Sequence, residues 1–240
     1  MPNVPSSWLL KLRRSQTYSC TGIISMYKKV NPSFPASRIC VKIPSTWAGL
    51  QACRELEAQG IHTLATTLFS MEQAAVAAHV KCTYIAPYVN ELPVHFVPGY
   101  VDNDKGFDVT RAAQAYYERI GAKTIVMPAS LTTMEEVLEL AGAHHITVSP
   151  PLLAQLAATT GKQVEPVFLA RKLDETAEDD YSVLLEDEAM WTMAFIRSKN
   201  GKNSKKLTDA INLFCDMQDN LVGLMKKYTG RGTEGDKQVT

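Results

Sequence analysis

The sequence predicts an α/β fold in which a parallel sheet is joined by helical crossovers. Three observations carry this. Five strand–helix units begin near Ile39, His62, Cys82, Lys123 and Ile146, at spacings of about 20–25 residues with one longer interval. The strand segments are short apolar runs, as in sheets with helices packed over them. Pro44, Gly60, Gly121, Gly142 and Pro150 fall between the runs and punctuate them.

Taken in order, residues 1–37 are the least decipherable. Ile23, Ile24, Met26 and Tyr27 suit one face of a helix, which Asn31–Pro35 would end. Ile39–Ile43 reads as a fully buried strand interrupted by Lys42. Pro44 ends it, Ser45 is placed to cap a helix, and Trp47, Leu50 and Leu56 recur at helical spacing until Gly60. A strand at His62–Phe69 precedes a helix opened by a capping box, Ser70 with Gln73. A strand at Cys82–Val89 leads into a long connection, Pro93–Phe107. The helix Asp108–Ile120 stops at Gly121, and a strand at Lys123–Met127 follows. Thr132 with Glu135 would cap the next helix, which Gly142 ends. A fifth strand, Ile146–Ser149, runs through Pro150-Pro151 into a further helix.

The C-terminal part holds no obvious strand. Asp174–Glu188 contains eight acids and Arg197–Lys206 five bases, and both read as solvated surface. Leu207, Ile211, Phe214, Leu221, Met225 and Tyr228 then form an amphipathic stripe ending at Gly230. The expected organisation is an N-terminal segment (1–37), one α/β domain with its C-terminal helix (38–230) and a disordered polar tail (231–240).

With 25 basic and 25 acidic residues the formal charge is zero, so nothing draws the chain generally toward nucleic acid or membranes. No apolar run is long enough to span a bilayer, and the polar start is unlike a signal peptide. Five scattered cysteines (20, 40, 53, 82 and 215) show no metal-ligand spacing. Reduced thiols in a cytoplasmic protein, with no metal and no cofactor, are the expectation. The five histidines (62, 79, 95, 144 and 145) form no triad and read as structural.

Lys42 is the residue that needs a reason. A lysine amine in a core strand is costly to bury unless it is paired or neutral. Desolvation lowers a lysine pKa from about 10.4, and a neutral amine can attack a carbonyl to form a Schiff base. It can equally pair with a carboxylate, or reach past the strand end to water. Physical chemistry alone leaves both readings open.

The stretch K-I-P-S-T-W-A-G-L (42–50) and the L-E-A-Q-G-I that follows resemble the Schiff-base lysine segment of the transaldolases. The similarity continues through T-T-L-F-S (66–70), Q-A (73–74), Y-I-A-P-Y-V (84–89), T-I-V-M-P-A-S (124–130), I-T-V-S-P-P-L-L (146–153) and K-L-T-D-A-I-N-L-F (206–214). The resemblance implies a (β/α)8 TIM-barrel-like fold. Because too little chain precedes Lys42 for the first strands, an incomplete barrel lacking the first two or three is expected. It also implies the site residues. Lys42 falls on the reactive lysine and Thr66 on the threonine that positions a catalytic water. Leu64 stands where the family has an asparagine, and Ala86 where it has a substrate-contacting serine. Tyr88 replaces a phenylalanine, and related fructose-6-phosphate aldolases use a tyrosine to handle protons. The two phosphate-clamping arginines correspond to Glu91 and Thr132, while Ser130 is retained. No Asp or Glu occurs before Glu55, so the family's upstream acid pair is missing.

These features imply an enzyme acting on a small carbonyl substrate without the usual phosphate. Lys42 would be its nucleophile, Tyr88 its acid/base and Thr66 its water holder. A catalytically silent relative used for binding or assembly is the alternative, and a pentose-phosphate transaldolase a second. The open sheet edges of an incomplete barrel predict a homodimer or higher homo-oligomer.

Overall fold

The computed structural model describes residues 28–159 and 180–231, with isolated positions at 22, 25, 161 and 166. Residues 23, 24, 26 and 27, the expected face of an N-terminal helix, and most of the tail lie outside these. Four strands, β1 (Cys40–Pro44), β2 (His62–Leu68), β3 (Tyr84–Pro87) and β4 (Ile125–Val126), form one parallel sheet in sequential order. The connections carry α1 (Trp47–Glu57), α2 (Met71–His79) and α3 (Phe107–Ile120). Consecutive parallel neighbours, each followed by a helix, make an arc of an α/β barrel.

Two faces follow from the register. Ile43 pairs with Ala65, Ala65 with Ile85 and Ile85 with Val126. All four are buried, and they pack with Leu50, Leu56, Val76 and Tyr117 of the helices. Each Ile, Leu or Val among them taken out of water contributes about 1.5–3 kcal/mol. The alternate row, Lys42–Leu64–Tyr84–Ile125, lies on the opposite face and is exposed or half-buried. Here the fully buried strand expected at Ile39–Ile43 is corrected. The strand alternates, with Val41 and Ile43 under the helices and Lys42 exposed on the other face, because each residue in a strand points opposite to the last.

Other expectations shift by small amounts. The cap of α1 is Thr46, whose hydroxyl accepts from the Gly49 N–H at 2.9 Å, not Ser45. The predicted Ser70–Gln73 capping box is present, and Gly121 closes α3 in the left-handed region at φ 66°. At α4 (Met134–Glu139) the box is Thr133 with Glu136, one residue beyond the expected pair. Ile146–Ser149 is not a paired strand. The N–H groups of His145 and Thr147 donate to the carbonyls of Val126 and Pro128 at 3.2 and 3.0 Å. This segment therefore lies beside the end of β4 without forming a ladder, since β4 spans two residues and Pro128 has no N–H to offer.

Two C-terminal helices complete the described fold, after α5 (Pro150–Ala158) has packed on α4 through Leu152. In α6 (Glu188–Arg197) Trp191 stacks on Phe195 at 5.1 Å and meets Trp47 at 5.7 Å. Its indole N–H donates to the Glu72 carbonyl at 2.9 Å. The helix α7 (Lys202–Arg231) buries Leu207 and Ala210 against this core.

Candidate functional site

The C-terminal ends of β1 and β2 are tied together by a buried hydrogen-bond network. The Thr66 carbonyl accepts the Ser45 N–H and the Ser45 hydroxyl, both at 2.8 Å, and the Thr67 hydroxyl at 2.6 Å. Gln73 completes it. Its amide nitrogen donates to the carbonyls of Ser45 (2.9 Å) and Thr67 (3.2 Å), and its oxygen accepts from the N–H groups of Phe69 and Ser70. Thr67 sits at φ 51°, a conformation that costs a β-branched residue about 1–3 kcal/mol and persists only where its surroundings over-determine it. Gly49 belongs to the same construction, because a Cβ there would stand 2.0 Å from the Pro44 carbonyl oxygen.

Above this network the three expected catalytic side chains converge. The Lys42 amine lies 5.9 Å from the centre of the Tyr88 ring. The Thr66 hydroxyl donates to the Tyr88 phenol oxygen at 3.2 Å. Tyr88 is 5% exposed and meets Phe69 edge-on at 5.7 Å. Its backbone is fixed by a bridge to Ala129 and by Gly106, where a Cβ would come within 2.4 Å of the Tyr88 carbonyl oxygen. Leu64 is the register partner of Lys42, and Ala86 is buried in β3.

The positions expected at a phosphate clamp are engaged with their own neighbours. Glu91 accepts from the Tyr100 hydroxyl at 2.5 Å, which pushes the Tyr100 pKa up to about 12. Ser130, at φ 64°, shares a hydrogen bond of 2.8 Å with His95. Thr132 is exposed, and its N–H donates to the Glu136 carboxylate at 2.7 Å. Glu136 is 2% exposed. Burial alone would raise its pKa, but the 2.8 Å pair with Lys105, the Thr132 N–H and the Asn90 amide hold it below the usual carboxylate range.

His95, expected to be structural, thus contacts Ser130, one of the expected substrate-binding residues. It is carried by the connection after β3, a strap that Lys206 of α7 anchors from 104 residues away. Lys206 reaches the 3% exposed Asp102 at 3.2 Å and the Asp104 carbonyl at 2.7 Å. Sequence reasoning did not anticipate the His95–Ser130 contact, the reach of Gln73 to Ser45 and Thr67, or the Asp102–Lys206 pair. The Q-A motif at 73–74 was the one available signal, since the other two are contacts distant in sequence.

Among the described residues no group of three or more His, Cys, Asp or Glu side chains could hold a metal ion. Cys53 and Cys82 are buried and free, and Cys40 and Cys215 are exposed and free. No described helix is long and apolar enough to cross a membrane.

The sequence pattern of the transaldolase/fructose-6-phosphate aldolase family matches residues 18–224. A transaldolase of Chlamydia pneumoniae is 31% identical over 230 residues, covering 88% of this chain and 66% of that protein. A transaldolase of Synechocystis is 35% identical over 196 residues (79% and 48%), and one of Methylococcus capsulatus 30% over 220 residues (87% and 65%). The chain spans about half to two thirds of the length of the curated relatives it matches. With a pattern match over most of its length and a parallel barrel arc carrying the matched motifs, the chain belongs to the transaldolase/fructose-6-phosphate aldolase family.

Proposed function

We propose that this chain performs aldol-type carbon–carbon bond transfer, cleavage or formation through a Schiff base on Lys42. The observation that carries the reading is the meeting of Lys42, Tyr88 and Thr66 at the C-terminal end of the sheet, where α/β barrels place their chemistry. In this reading the Lys42 amine adds to a substrate carbonyl and water leaves as the imine forms. Tyr88 moves protons at that centre, and Thr66 orients the phenol and a water. Glu91 and Thr132 supply no cation, and a carboxylate repels phosphate. The proposed substrate is therefore a small carbonyl compound without a phosphate. The protein is proposed to act as a homo-oligomer in the cytoplasm.

A second reading, a silent relative retained for binding, is favoured by one observation. Lys42 is exposed, whereas burial is the usual means of holding an amine in its nucleophilic form. Turnover of an unphosphorylated ketose with an aldehyde acceptor separates the two. The wild type should exchange carbon fragments and Lys42→Met should not, with both melting alike because the side chain is at the surface. Activity that survives in Lys42→Met would end the Schiff-base reading.

A further inference from the structure

The three donors on the Thr66 carbonyl are more than that peptide needs. A buried carbonyl requires one partner, and a helix or ladder usually supplies it. Here a backbone N–H and two hydroxyls converge on a single oxygen, one donor from Thr67 itself and two from Ser45, the residue just past the neighbouring strand. Thr66 ends the register of β1 with β2, opposite Pro44, and two residues later the pairing of β2 with β3 slips to Leu68–Pro87. At this irregularity Thr67 adopts φ 51°, with no glycine to ease it. Gln73 holds both carbonyls that flank the junction, Ser45 and Thr67, and all these side chains are 0% exposed. None of them points to a ligand. What they orient is the one Thr66 hydroxyl, which donates to Tyr88.

We infer that Ser45, Thr67 and Gln73 are positioning residues whose role is to aim the Thr66 hydroxyl at Tyr88, setting the rate of proton transfer beside a Lys42 imine and not the formation of that imine. The inference rests on the proposed Schiff-base reading. It follows from where the groups sit. The network ties the ends of β1 and β2 together and bonds the Thr66 carbonyl directly. The Lys42 side chain, three residues before Ser45, stands on the exposed face and is no part of it. Loosening the Thr66 peptide would move the threonine–phenol pair and leave access to the amine as it is. A misplacement of about 1 Å in such a group costs about 100-fold in rate.

The two steps can be read separately with hydroxyacetone. When the imine forms, the Lys42 nitrogen binds the carbonyl carbon and water leaves. Borohydride then reduces the C=N bond to a stable secondary amine. When the imine enolises, a proton leaves the adjacent carbon for a base at the site, and in D2O a deuteron returns in its place, which NMR detects. Ser45→Ala and Thr67→Val each remove one hydroxyl with little change in volume. Both should form the borohydride-trapped adduct at the wild-type rate while exchanging deuterium about tenfold to 100-fold more slowly. Thr67→Ser, which restores the hydroxyl, should recover the exchange lost in Thr67→Val. Exchange at the wild-type rate in folded Ser45→Ala and Thr67→Val would overturn the inference. So would a parallel fall in trapping and exchange, the mark of a general structural role. A wild type that forms no adduct would overturn the Schiff-base reading itself.

Discussion

Each side chain at this site has a partner that decides what it can do, and Tyr88 has the most informative ones. Its ring faces the Lys42 amine and its oxygen accepts from Thr66. Acid–base groups contribute about 10²–10⁴-fold to rate. Tyr88→Phe should therefore lower turnover by about that factor, and unchanged steady-state kinetics would make it a packing residue. The clamp positions give a second test. Arginine at both Glu91 and Thr132 should raise affinity for a phosphorylated sugar, each added charged hydrogen bond contributing about 1.5–3 kcal/mol. Calorimetry showing no tighter binding in the double variant would place the phosphate site elsewhere. At this scale the sequence named residues that the fold brings near one another, Lys42, Thr66 and Tyr88, and their proposed roles are what the variants test. It was silent on His95, because a histidine in a long connection carries no local sign that it will reach Ser130, 35 residues on. The exposure of Lys42 was missed for a different reason. An unbroken apolar run such as Ile39–Ile43 does not say whether both faces of its strand are covered.

The elements were legible in kind and displaced at their ends. Ser45 and Thr46 are both good caps, as are Thr132 and Thr133, and only the backbone geometry chooses between such neighbours. At α4 the choice has a consequence, because Glu136 closes the capping box and also receives Lys105 and Asn90. Its folded pKa lies below the ordinary value of about 4.3, so the carboxylate stabilises the fold above that pH and the contribution is lost as the pH falls through the lower folded value. Glu136→Gln should destabilise by about 1–3 kcal/mol at neutral pH, and the gap to the wild type should narrow under acid. A gap that is constant from pH 7 to pH 3 in denaturant melts would rule this out. At α1, Gly49→Ala would force a methyl to within 2.0 Å of the Pro44 carbonyl oxygen. Relief requires moving the strand end, and overpacking of this kind costs about 1–3 kcal/mol or more. A wild-type melting temperature for that variant would contradict it.

For the whole molecule, the described sheet ends in two edges, and the longest helix carries an unfinished apolar stripe. Leu207 and Ala210 are buried, but Phe214, Met217, Leu221, Leu224 and Tyr228 continue the same three-and-four spacing in the exposed half of α7. That spacing is a coiled-coil seam. The acids Asp216 and Asp219 precede the bases Lys226 and Lys227, so an antiparallel second copy would set unlike charges side by side. The oligomer is proposed to form there. Leu221→Glu with Leu224→Glu should shift the sedimenting species to a monomer. The stripe itself was legible from its periodicity, whereas which half of it the chain buries depends on tertiary contacts. The anchoring of the strap by Lys206 was not legible either, because that contact joins residues 104 positions apart.

The most direct test is chemical capture at Lys42. The purified protein would be incubated with a panel of small ketones and aldehydes, reduced with borohydride, digested and examined by mass spectrometry. An irreversible mass increase confined to the peptide bearing Lys42, absent without the carbonyl compound and absent in Lys42→Met, is the expected result. No adduct with any carbonyl compound, under conditions in which a transaldolase relative is labelled, would contradict the Schiff-base mechanism.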